Sequence, residues 1–535
     1  MENELIGFKK NIISWYPIKK DSKVLQIGKN EEIYKELLNK TNNIVQIETL
    51  NEIKPKSEFD YVVLIGNFEK LKTEEEIINL IDFSKECLNK KGKILLATKN
   101  KFGMKYWTGE KESDDSKIFE TIVSKTRNIL GLSKLKKILN ELDLKYKFYY
   151  PLPDYQITNV IYTDEYLPSK DSMDARNLNF CKDDDILVFS ERDAYKQLIS
   201  QDKEMIPFFA NSFFVEISEK ADFEDIRYVG FGITRKPEFR IKTVIREKVV
   251  EKTADGEKGK EHIDDISRNI KVLNDAKIEC LDTFEPDMII SKYLSNAKSY
   301  DSVLIDIYNQ KGLDTVIEKI KEFKSNIIDK LLIEPAKSEN TVFEKYNIEI
   351  SDEMKKKLHF TKNGVIDLIF QNCLVKDEKI YVYDQEWYEE NVPVEFILYR
   401  AIFYFTELNK QENINEIYQK LGIEKYIEIF EKLETIIQKD IVDEKIWELH
   451  RASTKSLGGT KNFIDCYEAR LDAANTHIRN LEAGINNLTE LIKTKDKQLE
   501  EYANELRGIS KSVSWRITSP IRNITRVFRK KNRRK

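Results

Sequence analysis

The chain has 535 residues, more than one hydrophobic core can serve, so it divides into two or three domains plus extensions. Its formal charge of -4 conceals an asymmetry: residues 511–535 carry ten Lys/Arg and no Asp/Glu, which leaves -14 on the first 510. Five cysteines (Cys87, Cys181, Cys280, Cys373, Cys466) lie far apart with no C-x-x-C pair, and the four histidines are as scattered, which argues against a zinc site or a disulfide framework.

At the start of the chain Met1 is followed by Glu2 and Glu4, without the basic and apolar regions of a signal peptide, and no window reaches the ~18 apolar residues of a membrane span. The expectation is a protein of the reducing cytoplasm. Short apolar runs at 23–28, 43–48, 59–66 and 92–97, with helix-sized gaps between most of them, predict strands of a parallel α/β sheet. Glu74 to Leu88 reads as a helix ending in the turn Asn89-Lys90-Lys91-Gly92. Between about 150 and 215 the period is lost among Pro151, Pro153, Pro168 and Asp183-Asp184-Asp185, which predicts a domain connection.

From Arg227 to Thr253 the pattern is strand-like again, and Lys260 to Leu273 is helical with Ile263, Ile266, Ile270 and Leu273 on one face. Mostly helical sequence then runs to about residue 450. Within it, Gly364-Val365-Ile366-Asp367-Leu368-Ile369-Phe370-Gln371-Asn372 leads into a strand, a hairpin turn at Asp377-Glu378-Lys379, and a second strand ending at Tyr383-Asp384-Gln385-Glu386. Such a hairpin carries Asn372 and Asp384 to one mouth. One carboxylate to orient an acceptor hydroxyl, with an amide and a second carboxylate to hold Mg²⁺, is the set that phosphoryl transfer from ATP requires. A bare D-x-x-x-x-N pattern also occurs in surface turns.

This arrangement resembles the catalytic segment of the aminoglycoside-phosphotransferase and choline-kinase branch of kinase-like proteins. The resemblance implies Asp367 as catalytic base, Asn372 and Asp384 as metal ligands, and ATP and Mg²⁺ as cofactors. It departs from that branch at Val365, where a His is usual. The branch also needs a strand lysine for the phosphates, paired with a helix carboxylate; Lys252 is the candidate, with Glu261 or Asp265 as partner and Lys248 as a competitor. Asp287 to Leu294 would be the hinge. No G-x-G-x-x-G is present, and Gly230-Phe231-Gly232 is the nearest approach to one.

The first hundred residues resemble a class I S-adenosylmethionine methyltransferase, and Asn100-Lys101-Phe102-Gly103-Met104-Lys105-Tyr106-Trp107-Thr108-Gly109 is similar to a segment of methyltransferase-like proteins of bacterial surface-polysaccharide clusters. The resemblance implies Gly28 and Glu48 as cofactor-binding residues, Glu48 for the ribose hydroxyls. The turn Gly28-Lys29-Asn30-Glu31-Glu32 keeps one glycine and places two carboxylates before the ligand's own. Only ten residues separate Glu48 from Phe59, too few for the usual helix and third strand. A degenerate, structural domain is therefore the expectation, with an active methyltransferase as the alternative.

From Leu471 the heptad-spaced positions 474, 478, 481, 485, 488, 492, 495, 499, 502, 506 and 509 are apolar except Lys495, which predicts a coiled coil. Ser512 to Arg522 resembles an S-x-S-W-R-x-T-x-P motif at the ends of enzymes of bacterial polysaccharide pathways. Beyond it, Ile521, Ile524, Val527 and Phe528 share one helical face with Arg522, Arg526, Arg529 and Lys530 around it, as in helices that lie on anionic lipid. A solvated tail, or nonspecific contact with RNA, is the plainer reading of the same charges.

The expected organisation is a Rossmann-like methyltransferase fold at 1–175, a linker at 176–210, a two-lobed α+β kinase-like domain at 211–450, a coiled coil at 451–510 and a basic amphipathic tail at 511–535. That order resembles methyltransferase-kinase fusion proteins of O-antigen type. The resemblance implies a cytoplasmic transferase, peripheral at the inner face of the plasma membrane, that phosphorylates a glycan or lipid-linked glycan. It also implies glycosyltransferases of the same pathway as partners, self-association through the coiled coil and no specific nucleic acid. A catalytically silent scaffold that recruits glycosyltransferases is the alternative from another class.

Overall fold

The computed structural model describes residues 5–56, 58–113, 116–124, 129–169, 188–405, 414–455 and 459–532. Cys181, the Asp183-Asp184-Asp185 cluster and the first part of the expected linker lie outside them, as do the side chains of Cys466, Val527 and Phe528. The chain divides into two compact units, Met1–Leu457 and Gly458–Lys535.

In the first unit, β1 (Lys23–Ile27) is buried at every position after its first, and β3 (Phe59–Ile65) and β4 (Leu88–Lys99) bury long apolar runs, as strands covered on both faces do. With β2 (Asn43–Ile47) they pair in parallel in the order β2-β1-β3-β4. α1 (Glu31–Lys40) and α2 (Glu74–Cys87) make two of the crossovers; Thr73 and Glu76 close a capping box at the start of α2. Among the described residues between Ile47 and Phe59 there is only a single 3₁₀ turn, Leu50–Glu52; β2 is the sheet edge, and the expected loss of a third helix-strand unit is seen there. The expected turn at 89–92 is instead an irregular start to β4, whose pairing with β3 jumps from Phe59↔Leu88 to Tyr61↔Lys93.

Helix α3 (Leu132–Glu141) precedes β5 (Lys145–Pro153), β6 (Thr158–Thr163), helix α4 (Glu191–Asp202) and β7 (Ser212–Ser218). β7 lies antiparallel between β4 and β5. This corrects the sequence reading twice. The described part of the 176–210 linker contains a helix with Tyr195 fully buried, and residues 212–218, assigned to the kinase-like region, belong to the first sheet. The prolines misled: Pro151 and Pro153 fall where β5 has left β7 and pairs with β6 alone, so one side of the strand makes no demand for a backbone N–H.

The sheet does not stop there. β6 pairs with β8 (Tyr228–Phe231) through Val160↔Gly230 and Ile161↔Val229, and β8 continues into β9 (Ile241–Ile245), β10 (Val249–Ala254), β12 (Met288–Lys292) and β11 (Asp282–Glu285), all antiparallel. One twelve-stranded sheet thus joins the parallel α/β half to an antiparallel half. Helix α5 (Lys260–Asp275) packs Ile263, Ile266 and Ile270 against Ile241 and Ile289 of that second half.

A helical body follows, containing α6 (Tyr300–Lys311), α7 (Leu313–Asn326), α8 (Val394–Phe403) and α9 (Ile427–Ile441). Set into it are β13 (Lys298–Ser299), the pair β14 (Phe360–Val365) and β17 (Tyr388–Pro393), and the hairpin β15 (Cys373–Lys376) and β16 (Lys379–Val382). Helix α10 (Glu444–Lys455) crosses the expected boundary at 450/451 and returns Ile446 to the N-terminal core around Trp15 and Tyr16. The second unit is α11 (Gly459–Lys511), α12 (Val513–Ile517) and α13 (Ser519–Asn532). Along α11 the seam side chains from Leu471 to Ile509 stand in solvent, Leu481 and Leu488 at 54% and 60% exposure.

Candidate active site

Hairpin β15–β16 turns on Asp377 and Glu378, both in the left-handed region, and its ladder runs one step beyond the strands because Tyr383 N–H donates to the Asn372 carbonyl at 3.0 Å. Asn372 and Asp384 therefore meet at one end: Asn372 Nδ2 donates to the Asp384 carbonyl (3.1 Å) and to the Asp367 carbonyl (3.3 Å). Asp384, itself at φ 58, receives an ion pair from Lys252 of β10, and its N–H donates to Asp282 Oδ2 of β11 at 2.9 Å. Residues more than a hundred positions apart are thereby drawn to one mouth.

The lysine is buried, and burial works against its charge, but Asp384 and Asp282 outweigh that and hold its pKa above the ordinary value. Asp384 keeps 34% of its side chain exposed and is the carboxylate open to a ligand. Glu386 is 3% exposed and pairs with Arg235, with His262 Nε2 at 3.3 Å. Burial opposes its charge, yet Arg235, His262 and Lys252 together keep its carboxyl well below the usual range.

Asp367, in the loop after β14, is held by its surroundings. Arg400 Nη1 of α8 reaches Oδ1 at 3.1 Å, and Glu386 N–H donates to Oδ2 at 3.2 Å. Arg400, 2% exposed, is fixed by Glu434 Oε2 of α9 at 2.8 Å and by the Ile366 carbonyl. Burial raises the Asp367 carboxyl to about 6 against the pull of Arg400, so it is mostly ionised at neutral pH and titrates close below it.

The structure brings together Lys252, Asp367, Asn372 and Asp384. It does not bring Glu261, which is exposed on α5, nor Asp265, which pairs with Arg268 at 3.1 Å. The residue α5 turns inward is His262, stacked on Trp387 at 4.9 Å, with Asn269 donating to the Gln385 carbonyl at 3.0 Å. Lys248 is exposed at the foot of β10. Arg235, His262, Arg400 and Glu434 were missed. The sequence signal for His262 was its place four residues before Ile266, on the apolar face.

Among the described residues no group of three or more His, Cys, Asp or Glu could hold a metal. Magnesium seldom needs such a cage, because one or two protein oxygens and the phosphates suffice. Asp384 with the Asn372 amide is an all-oxygen donor pair of that kind, and it fits the ion.

At the other half of the sheet, Gly28 and Glu48 also meet: Gly28 N–H donates to the Ile47 carbonyl at 2.8 Å. Gly28 adopts φ +93, and a Cβ there would lie 3.1 Å from Asn67 Nδ2. The turn is braced by its own chain, with Asn67 Nδ2 on the Ile27 carbonyl (2.9 Å) and Gln26 Nε2 on the Asn30 carbonyl (3.2 Å). The Glu48 carboxylate is in solvent, paired with Lys29 at 3.2 Å.

No protein-family model and no curated protein matches the chain. Among solved structures it is similar to a SAM-dependent methyltransferase from Archaeoglobus fulgidus, with 16% identity, 40% of this chain and 92% of that one covered, and a TM-score of 0.25. It is similar to a cyclopropane-fatty-acyl-phospholipid synthase-like protein from Lactobacillus casei at 12% identity, over 40% and 90% of the two chains, with a TM-score of 0.22. An ADP-bound aminoglycoside phosphotransferase matches at 12% identity over 41% of this chain and 90% of its own, with a TM-score of 0.19.

Proposed function

We propose that this chain is an ATP-dependent phosphotransferase with a kinase-like site built on Lys252, Asp367, Asn372 and Asp384, and that its N-terminal methyltransferase-like half is structural. The observation that carries the reading is the meeting of Asp367, Asn372 and Asp384 with the buried Lys252 at one mouth. Burying charges costs several kcal/mol of solvation per ion, and clusters of them with shifted pKa values are concentrated at functional sites. Asp384 and Asn372 would hold Mg²⁺, which neutralises phosphate charge when bound. The acceptor hydroxyl gives its proton to Asp367 as its oxygen forms a bond to the γ-phosphorus; the bond from that phosphorus to the bridging oxygen breaks, and ADP leaves.

The acceptor is proposed to be a glycan or lipid-linked glycan at an anionic membrane surface, from the resemblances of residues 100–109 and 512–522. What supports the surface is the shape of the last helices. Arg522 lies 3.6 Å over the Trp515 ring, while Ile521 and Ile524 are exposed beside Arg522 and Arg526. No helix among the described residues is long and apolar enough to cross a membrane. Calorimetric titration of Mg–ATP into the full chain tests the site; no heat at millimolar ATP sinks the reading.

A second reading has its own observation. The exposed seam of α11 favours self-association and recruitment of glycosyltransferases by a scaffold without catalysis. Under it, cells carrying Asp367→Asn with Asp384→Asn make normal polysaccharide, and cells lacking residues 460–535 do not.

A further inference from the structure

The loop from β8 to β9, residues 232–240, has no glycine run whose backbone N–H groups could cradle phosphates. It is held in place by the segment that joins α9 to α10. Lys236 N–H donates to the Ile441 carbonyl (2.9 Å), Asp443 N–H donates to the Thr234 carbonyl (2.8 Å), and Arg235 bridges to Val442. Arg240 ties the loop twice more, through Nη2 to Asp443 Oδ2 and Nε to the Arg235 carbonyl, at 2.9 and 2.8 Å.

The Arg235 backbone is thus fixed while its side chain enters a cleft of about 210 Å³, lined also by Gly230, Gly232, Thr243, Asp384 and Glu386. The guanidinium pairs with Glu386 and lies 5.4 Å from the centre of the Trp387 ring, yet stays 27% exposed.

Two cation-carboxylate pairs share this mouth, Lys252 with Asp384 and Arg235 with Glu386. If Asp384 turns to the metal, Lys252 is released to the phosphates. The same exchange is open to Arg235, and it would not strand Glu386, because His262 Nε2 approaches the same Oε2. A planar guanidinium holds phosphate oxygens bidentately, supplying from one side chain what a glycine loop supplies from its backbone. We propose that Arg235 is a second phosphate-binding cation of this cleft beside Lys252, exchanging Glu386 for the phosphates of the entering nucleotide; the proposal rests on the phosphotransferase reading.

The test is calorimetric titration of the full chain with Mg–ATP and with adenosine. Arg235→Gln alone leaves Glu386 charged and buried, so the double variant Arg235→Gln/Glu386→Gln is measured beside it, with thermal melting as the check on folding. Loss of a charged contact should weaken ATP binding about tenfold or more in the double variant and change adenosine binding less than about twofold. ATP affinity equal to the parent's, or equal losses for ATP and adenosine, overturns the assignment of Arg235 alone. A parent chain that binds neither ligand overturns the phosphotransferase reading and this role together.

Discussion

The two ends of the long sheet treat their polar groups in opposite ways. In the Gly28–Glu48 turn the backbone is braced by neighbouring amides and the Lys29–Glu48 ion pair stands in water, with side chains 67% and 61% exposed. At the Lys252–Asp384 mouth, Lys252, Asp367, Glu386, Arg400 and Glu434 are buried against one another, and only Asp384 and Arg235 of these charges are partly open to solvent. An exposed pair can be kept at little cost and contributes little. A buried array loses solvation worth several kcal/mol per ion and persists only where geometry or function compensates. On the proposed reading, the difference separates a turn that is part of the fold from a mouth that is a site.

The largest test of that contrast is Arg400→Ala. It leaves Asp367 and Glu434 as buried carboxylates without their shared cation and should cost about 3–5 kcal/mol, read as a large fall in thermal midpoint. A small shift would show that the array relaxes freely and has no special standing beside the exposed turn. Next is Asp367→Asn, expected to lower phosphotransfer about 10²–10⁴-fold with ATP binding kept. Its pH signature has a defined sign. If Asp367 is the base of the proposed transfer it must be ionised, so the parent's phosphotransfer should fall with acid through about 6, where burial has raised the Asp367 carboxyl. The same shift acts oppositely on the fold: a pKa above the unfolded value of roughly 3.9 means that ionisation destabilises, so this group's contribution declines as pH rises from about 4 through 6.

The sequence made part of this array visible and hid the rest for a physical reason. Asp367, Asn372 and Asp384 were readable because a tight hairpin fixes their relation within eighteen residues. Arg235 reaches Glu386 from 151 positions away and Arg400 reaches Asp367 from 33, distances at which spacing carries no signal. Glu261 was chosen by charge, whereas the helix is oriented by its apolar face, and that face turns His262 inward. The parallel strands were legible as apolar runs. β7 was not read as a strand at all, because it begins inside the stretch taken for a connection, and its neighbours β4 and β5 are chosen by the sheet and not by chain order.

Gly28→Ala sharpens the comparison at the other end. At φ +93, with Asn67 3.1 Å from the new Cβ, alanine should cost about 1–2 kcal/mol whatever the turn binds, measurable by urea denaturation. A neutral result would mean that the backbone does not need this glycine, and a ligand would then have to explain it.

The smallest effect bears most directly on the reading of the first half. Glu48→Gln removes one partner of a solvated pair and should change stability by less than about 0.5 kcal/mol. Calorimetry with S-adenosylmethionine supplies the other arm. If the turn is structural, the parent and Glu48→Gln chains give the same absence of binding heat. Saturable binding in the parent that weakens sharply in Glu48→Gln would mean that Lys29 releases Glu48 to a ribose. The two ends of the sheet would then both be sites, one prepared by burial and the other assembled only when its ligand arrives.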